Sequence, residues 1–220
     1  MSPVLKIDVF FDFICPWCLI GKRQLERALA LLRGSHPQVE VELAWHGVQL
    51  LPHLPAEGVP FAAFYLERLG SAQAVSLRQA QVQQAANDAG LDLDLSRIAL
   101  MPNSADAHRL LACAAGLGTA AQREALLERL FAAYFRHGED LGDSATLLAI
   151  AASCGYEPAQ LAPALRGNGQ PYFSQAVGGM AQGVPNFIFN NRLEVSGAQS
   201  PKLLHAAMLQ ALGQTQGQYA

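Results

Sequence analysis

The motif Cys15-Pro16-Trp17-Cys18 lies between a run of residues typical of a β-strand and a run typical of a helix. Cysteines with this spacing lie one helical turn apart, which is close enough for a disulfide bond. Cys15 is placed at the start of the helix, where unpaired N–H groups and the helix dipole stabilise a thiolate. Pro16 suits the first turn because its nitrogen has no hydrogen to lose. The motif therefore favours thiol–disulfide exchange, with half of a structural zinc site or an accidental spacing as alternatives.

Composition and charge exclude several classes of function. The chain has 220 residues, 51% of them hydrophobic, which suffices for one domain with a substantial core or for a domain with a large insertion. A net charge of −3 gives no electrostatic basis for binding nucleic acid or an anionic membrane. No apolar stretch approaches the length of a membrane span. Residues 1–6 lack the basic and hydrophobic regions of a signal peptide, so we expect a cytoplasmic protein.

The other two cysteines, Cys113 and Cys154, lie in Ala-rich helical patterns. We expect both to be small buried hydrophobic side chains that form no disulfide. Neither belongs to a second C-x-x-C motif, and the histidines supply no second half of a zinc site, so no metal is expected. Because structural disulfides are rare in a reducing compartment, an isolated C-x-x-C motif is more consistent with catalysis.

The hydrophobic pattern predicts a βαβ unit at the N-terminus and a hairpin with a helix at the C-terminus. The first unit has strands over 4–12 and 39–45 and a helix over 16–33 that ends at Gly34. Near the C-terminus, Asn190-Asn191 predicts a turn between strands over 184–189 and 192–196. Ser200-Pro201 predicts the start of a helix over 201–212, and a frayed polar tail follows over 213–220.

The middle of the chain, from about 60 to 168, has no convincing strand and is rich in Ala and Leu. Capping candidates are Ser71, Ser104 and Ser144. The helical patterns cover 61–69, 71–89, 104–117, 121–137, 144–154 and 158–166. We interpret this part as a helical subdomain inserted into the first fold.

Three groups of residues resemble a known family. They are Asp12-Phe13-Ile14-Cys15-Pro16-Trp17-Cys18, Asn103 with Ala107-His108-Arg109, and Gly183-Val184-Pro185 followed by Val195-Ser196-Gly197-Ala198-Gln199. Together with the helical insertion, they resemble the DsbA-like thioredoxin family, and most closely its FrnE-type branch. That branch is related to 2-hydroxychromene-2-carboxylate isomerase and kappa-class glutathione transferase. The resemblance implies an α/β thioredoxin fold with a large all-helical insertion: 1–60 and 170–220 form the thioredoxin-like domain, and 61–169 form the inserted subdomain.

The resemblance also implies substrate-binding residues. Pro185 is expected to be a cis proline that lies against the active-site cysteines, and the Val184 backbone to pair with an extended substrate segment. The alternative is a proline that merely begins a strand. Trp17, beside Pro16 in the motif, offers an apolar surface for substrate or packs under the helical insertion.

The resemblance further implies that the helix containing His108 faces the active-site cleft. Asn103 and His108 then touch substrate, or alternatively make structural hydrogen bonds between the insertion and the core. Asp8 and Asp12 are nearby acids, of which one could relay a proton to Cys18, although capping or solvation is the commoner role.

The motif and the resemblance together predict a thiol–disulfide oxidoreductase in which Cys15 attacks and Cys18 resolves the mixed disulfide. Expected partners are protein thiols and disulfides or glutathione as a co-substrate; no further cofactor is expected, and monomer or homodimer is left open. A glutathione-dependent isomerase or transferase is the first alternative. Such relatives have Ser in place of Cys15 and an acidic segment where this chain has Gly197-Ala198-Gln199. A non-catalytic peptide-binding module is the second alternative.

Overall fold

The structure is a computed structural model that describes residues 3–174 and 183–216. The strands are β1 (Val4–Phe11), β2 (Glu40–Gly47), β3 (Val59–Pro60), β4 (Leu100–Met101), β5 (Asn186–Phe189) and β6 (Leu193–Ser196). The helices are α1 (Pro16–Ser35), α2 (Phe61–Leu69), α3 (Ala72–Asp88), α4 (Ala105–Ala114), α5 (Ala120–His137), α6 (Ser144–Ser153), α7 (Pro158–Leu161) and α8 (Pro201–Gln216). This is the predicted α/β thioredoxin fold with a helical insertion.

The chain divides into two compact units. The first comprises the described residues of Met1–Phe11, Trp17–Val48 and Ser174–Ala220. The second comprises Asp12–Pro16 and Gln49–Phe173, so the segment with Cys15 groups with the helical part of the chain.

The first unit is built on a four-stranded sheet in the order β2-β1-β5-β6. β1 and β2 are parallel, as a βαβ crossover requires. β5 pairs antiparallel with β1, and β6 pairs antiparallel with β5. Alternate residues of β1 point to one face, where Leu5, Ile7 and Val9 are buried. Apolar residues of α1 and α8, among them Leu25 and Met208, complete this core.

The second unit is largely helical, and a side chain caps the N-terminus of α3, α5 and α6. Ser71 caps α3 as predicted, because its hydroxyl accepts from the Ala74 N–H at 3.2 Å. Ser104 occupies the N-cap of α4 without a side-chain capping bond. The prediction of Ser144 as a cap was wrong: Asp143 caps α6, and its carboxylate accepts from the Thr146 N–H at 2.7 Å. The capping hydrogen bonds hold the pKa of Asp143 below its ordinary value.

Several predicted boundaries need correction. The middle of the chain contains a short antiparallel pair, β3 with β4, which is too short for an alternating pattern to show. α1 continues through Gly34 to Ser35, since Gly34 does not adopt the left-handed conformation of a C-terminal stop. α8 extends to Gln216, so part of the predicted tail is helical; residues 217–220 lie outside the described residues.

Other local predictions are confirmed. Asn190 and Asn191 have positive φ values of 50° and 55°, as a tight turn between β5 and β6 requires. The Ser200 hydroxyl accepts from the Leu203 N–H at 3.3 Å at the start of α8. Among the helices of the described residues, none is long and apolar enough to cross a membrane.

Candidate active site

The turn before α1 holds Cys15 at the N-terminus of that helix. The Cys15 N–H donates to the Asp12 carbonyl at 3.1 Å. The buried Asp12 carboxylate accepts from the Leu50 N–H at 2.7 Å and from the Ile14 N–H at 3.4 Å. α1 begins at Pro16, where the missing N–H costs nothing. Asp12 therefore fixes the backbone of the turn through hydrogen bonds. This is a capping role, which the sequence offered as the alternative to a proton relay.

Cys15 and Cys18 differ in exposure. Cys15 retains 8% of its accessible surface, whereas Cys18 retains 1%. Both are thiols in this structure, as are Cys113 and Cys154. The first sulfur of the motif is thus on the more accessible residue, as the sequence predicted. The chemical roles of attacking and resolving sulfur stay predictions.

His108 lies in the interior of the helical unit. Its Nε2 lies 3.0 Å from Asp12 Oδ1, and the side chains of the two residues are 1% and 0% exposed. The imidazole also packs against the rings of Phe13 and Tyr172, with centroids 5.1 Å and 5.2 Å away. His108 therefore contacts one carboxylate oxygen of Asp12, while the Leu50 N–H donates to the other. Contact between His108 and substrate stays a prediction.

Asn103 is also buried and uses its amide within the protein. Its Nδ2 donates to the carbonyls of Leu54 at 2.7 Å and Gly169 at 3.2 Å. Its Oδ1 accepts from Gln49 Nε2 at 2.9 Å and from the Ala105 N–H at 3.0 Å. These bonds fill the donor and acceptor capacity of an amide side chain. Asn103 thus joins three loops of the helical unit, and its contact with substrate stays a prediction.

Pro185 lies against α1 in the first unit, and the Val184–Pro185 bond is cis, as predicted. A Cβ atom placed on Gly21 would lie 2.9 Å from Pro185 Cγ and 3.2 Å from Phe187 Cζ. The absence of a side chain at Gly21 therefore allows the proline to pack on the helix one turn beyond Cys18. Its predicted contact with a cysteine sulfur, and pairing of the Val184 backbone with substrate, stay predictions. Trp17 is half-buried.

Asp8, the other acid considered as a proton relay, is paired within the sheet. Its Oδ1 lies 2.6 Å from His46 Nε2, and His46 stacks on Phe10 with centroids 5.0 Å apart. Within residues 3–174 and 183–216, no group of three or more His, Cys, Asp or Glu side chains could hold a metal ion. Cys113 and Cys154 are half-buried rather than fully buried, and Cys154 lies just after α6 rather than within it. The pattern of small residues could not distinguish these positions.

Tyr65 interacts electrostatically with Cys15, and nothing in the sequence singles it out. Burial raises the pKa of the Tyr65 phenol, and the negative charge of the Cys15 thiolate raises it further, while Arg68 and Arg78 oppose both effects. The only sequence feature at this position is a cluster of aromatic residues on α2, which is equally typical of a core.

Comparisons with known proteins agree with this geometry. The family model of the DSBA-like thioredoxin domain matches residues 6–209. The probable DsbA oxidoreductase of Streptomyces coelicolor superposes with a TM-score of 0.81 at 25% identity, over 95% of this chain and 90% of that one. A 2-hydroxychromene-2-carboxylate isomerase superposes with a TM-score of 0.61 at 14% identity, over 98% and 100% of the two chains, which shows a shared fold. No curated protein sequence matches the chain.

Proposed function

Because the chain belongs to the DSBA-like thioredoxin domain family of thiol oxidoreductases, we propose that it catalyses thiol–disulfide exchange through Cys15 and Cys18. The observation that carries the proposal is the placement of the two cysteines. Cys15 precedes the first residue of α1, and it is more exposed than Cys18, which lies one turn further along the helix. This arrangement supplies one sulfur at a helix N-terminus, on the more exposed of the two cysteines, and a second sulfur one helical turn further along.

The proposed reaction needs no group besides sulfur. The Cys15 thiolate attacks one sulfur of a substrate disulfide, a new S–S bond forms, and the other substrate sulfur leaves as a thiolate. Cys18, as a thiolate, then attacks Cys15 and releases the second substrate sulfur. The protein loses two electrons and becomes a disulfide, while the substrate gains two electrons and becomes a pair of thiols. The same steps in reverse order oxidise a substrate dithiol and reduce the Cys15–Cys18 disulfide.

The finer features of the proposal come from the sequence. The resemblance to the FrnE-type branch supports protein thiols or glutathione as substrates, with no resident cofactor. Cytoplasmic location and the choice between monomer and homodimer stay predictions. The isomerase alternative is disfavoured by Cys15 itself, because the related isomerases have Ser at that position.

The test is a pair of serine substitutions combined with an insulin-reduction assay. In Cys18→Ser the Cys15 sulfur can still attack but cannot be released, so long-lived mixed disulfides with insulin or glutathione are expected on mass spectrometry. Cys15→Ser is expected to trap none and to lose the activity. Iodoacetamide at mildly acidic pH is expected to modify Cys15 well before Cys18.

Cys113→Ser is the matched control, because Cys113 is a half-buried thiol outside the motif. It is expected to keep full activity. Faster alkylation of Cys18 than of Cys15 would reverse the two roles. Unchanged insulin reduction in both serine variants would remove the oxidoreductase proposal and favour the peptide-binding alternative.

A further inference from the structure

An open cleft in the helical unit is lined by residues of α4 and of the loop 163–173. We name it the α4 cleft, and the loop its loop wall. All of its lining residues belong to the helical unit, and none of them lies in the redox motif. Its volume of about 660 Å³ is within the range that is typical of small-molecule sites. The cleft is therefore large enough for a ligand and separate from the two cysteines of the motif.

The loop wall is held in place by hydrogen bonds to side chains of the same unit. The buried Asp106 carboxylate accepts from the Gly167 N–H at 2.7 Å and from the Arg166 N–H at 3.1 Å. Toward the other end of the loop, the Tyr172 N–H donates to Gln49 Oε1 at 2.8 Å. The wall is thus formed before a ligand arrives, so binding has little chain entropy to remove.

The charge on the lining of the cleft is positive. Among the described residues that line it, two are arginines and none is acidic. Arg109 is neutralised by Asp106, because its Nη1 lies 2.6 Å from Asp106 Oδ1 and its side chain is 10% exposed. Arg166 is exposed, and the acceptor for its Nη1 is the uncharged side chain of Gln170. A guanidinium has several N–H donors in one plane, so Arg166 can also bind a carboxylate.

Apolar side chains form other parts of the lining. Ala112, Pro163 and Pro171 line the cleft, and so does Phe173, which retains 83% of its accessible surface. A ligand that covers such an exposed apolar side chain gains stability, because apolar surface is removed from water. The cleft therefore presents a cation beside apolar surface, which a carboxylate on an apolar body complements.

We propose that the α4 cleft binds a small organic carboxylate, with the carboxylate group at Arg166 and the apolar body against Phe173. A ligand with an ammonium group is repelled by Arg166, and a neutral ligand lacks the charge-assisted hydrogen bond. The inference goes beyond the proposed function and does not depend on it, because neither cysteine takes part in the binding.

The probe is hexanoate, with hexanamide and acetate as reference ligands, and titration of the ligand NMR signals gives each dissociation constant. Hexanamide has the same chain without the charge, whereas acetate has the charge without the chain. The wild-type protein is expected to bind hexanoate about fivefold more tightly than hexanamide, as a strong exposed ion pair does. It is expected to bind hexanoate about tenfold more tightly than acetate, as burial of roughly two methylene groups does. Equal affinity for hexanoate and hexanamide, or binding of neither, would overturn the site.

Arg166→Gln tests the position of the carboxylate. Gln keeps the backbone N–H that Asp106 accepts, so the loop wall is expected to stay in place. This variant is expected to bind hexanoate and hexanamide equally. Arg136→Gln is the matched control, since Arg136 is also exposed but lies on α5. It is expected to retain the fivefold difference. A difference that persists in Arg166→Gln, or that disappears in Arg136→Gln, would overturn the contact with Arg166.

Phe173→Ala tests the position of the apolar body. The preference for hexanoate over acetate is expected to fall about threefold, because the ligand chain then covers less apolar surface. Leu77→Ala is the control, since Leu77 is 60% exposed in the same unit and does not line the cleft. It is expected to retain the tenfold preference. An unchanged preference in Phe173→Ala, or an equal fall in both variants, would overturn the contact with Phe173.

Discussion

At the scale of single residues, Asp12 is the centre of the turn that carries Cys15. Burial of its carboxyl group without hydrogen-bond partners would destabilise the folded protein. The partners are the N–H groups of Leu50 and Ile14 and the imidazole of His108. A buried carboxyl group with several hydrogen-bond partners holds them in one arrangement. The backbone of the turn is thus fixed by a residue three positions before the cysteine.

Tyr65 provides a test of the charge on Cys15. Burial first, and the Cys15 thiolate second, raise the pKa of its phenol, because a second negative charge beside the thiolate is disfavoured. We expect Cys15→Ser to lower the pKa of Tyr65, which stays above its ordinary value because burial remains. Ultraviolet titration of the phenolate measures this, with Tyr65→Phe to subtract the other tyrosines. Cys113→Ser serves as the control, and identical curves for Cys15→Ser and wild type would contradict the assignment.

At the scale of secondary-structure elements, α1 contains Cys18 of the redox motif and packs against Pro185, which lies in the loop before β5 (the proline loop). The helix begins directly after Cys15 and continues to Ser35. Two of its residues are glycines with very different surroundings. Gly21 faces Pro185 and Phe187, whereas a Cβ atom on Gly34 would have no neighbour within 4 Å. The same substitution at the two positions therefore separates helix propensity from packing.

Gly34→Ala is expected to stabilise the protein slightly, by up to about 1 kcal/mol, because Ala favours the helix. Gly21→Ala gains the same propensity, but its methyl group would come within 2.9 Å of Pro185 Cγ. Overpacking of this kind costs about 1–3 kcal/mol, and the displaced proline is expected to slow thiol exchange. Denaturant unfolding and insulin reduction measure the two effects. Equal stability and activity in the two variants would show that the proline loop accommodates the methyl group.

At the scale of the whole molecule, buried phenols make stability depend on alkaline pH. The pKa of Tyr134 is raised well above its ordinary value, chiefly by burial and further by the charges of Tyr65, Asp12 and Asp140. Its hydroxyl lies 3.6 Å from the Met101 sulfur in the interior of the helical unit. The folded protein therefore keeps a proton that the unfolded chain releases above a pH of about 10.

The free energy of unfolding is expected to fall as the pH rises above about 10, by up to roughly 1.4 kcal/mol per pH unit for this group. Below that pH, both states hold the proton and the contribution is constant. Tyr134→Phe is expected to show a shallower fall, because Phe has no proton to release. Urea unfolding between neutral and alkaline pH measures the slope. A Tyr134→Phe slope as steep as that of the wild type would assign the alkaline loss to other groups.

Much of the fold was predictable because its signals are local. The motif between β1 and α1, the alternation in β1 and β2, the Asn190-Asn191 turn and the start of α8 each depend on residues within a few positions of one another. The errors at Gly34 and Ser144 arose where either of two neighbouring residues could form the helix boundary: Gly34 or Ser35 at the end of α1, and Asp143 or Ser144 at the start of α6. The cis Val184–Pro185 bond was predicted from the family resemblance rather than from local chemistry.

By itself, the sequence determined where the two cysteines lie on the fold and which of them is the more accessible. Only the tertiary structure decided which side chains surround them. Asp12 and His108 are 96 positions apart, and Asn103 joins segments near 49, 54 and 169. The sequence does not distinguish Tyr65 from other aromatic residues, and only the folded structure brings it under the electrostatic influence of Cys15. The reason is physical: hydrophobic periodicity shows which face of an element is buried, but packing between distant segments selects the partners that a buried polar group finds there.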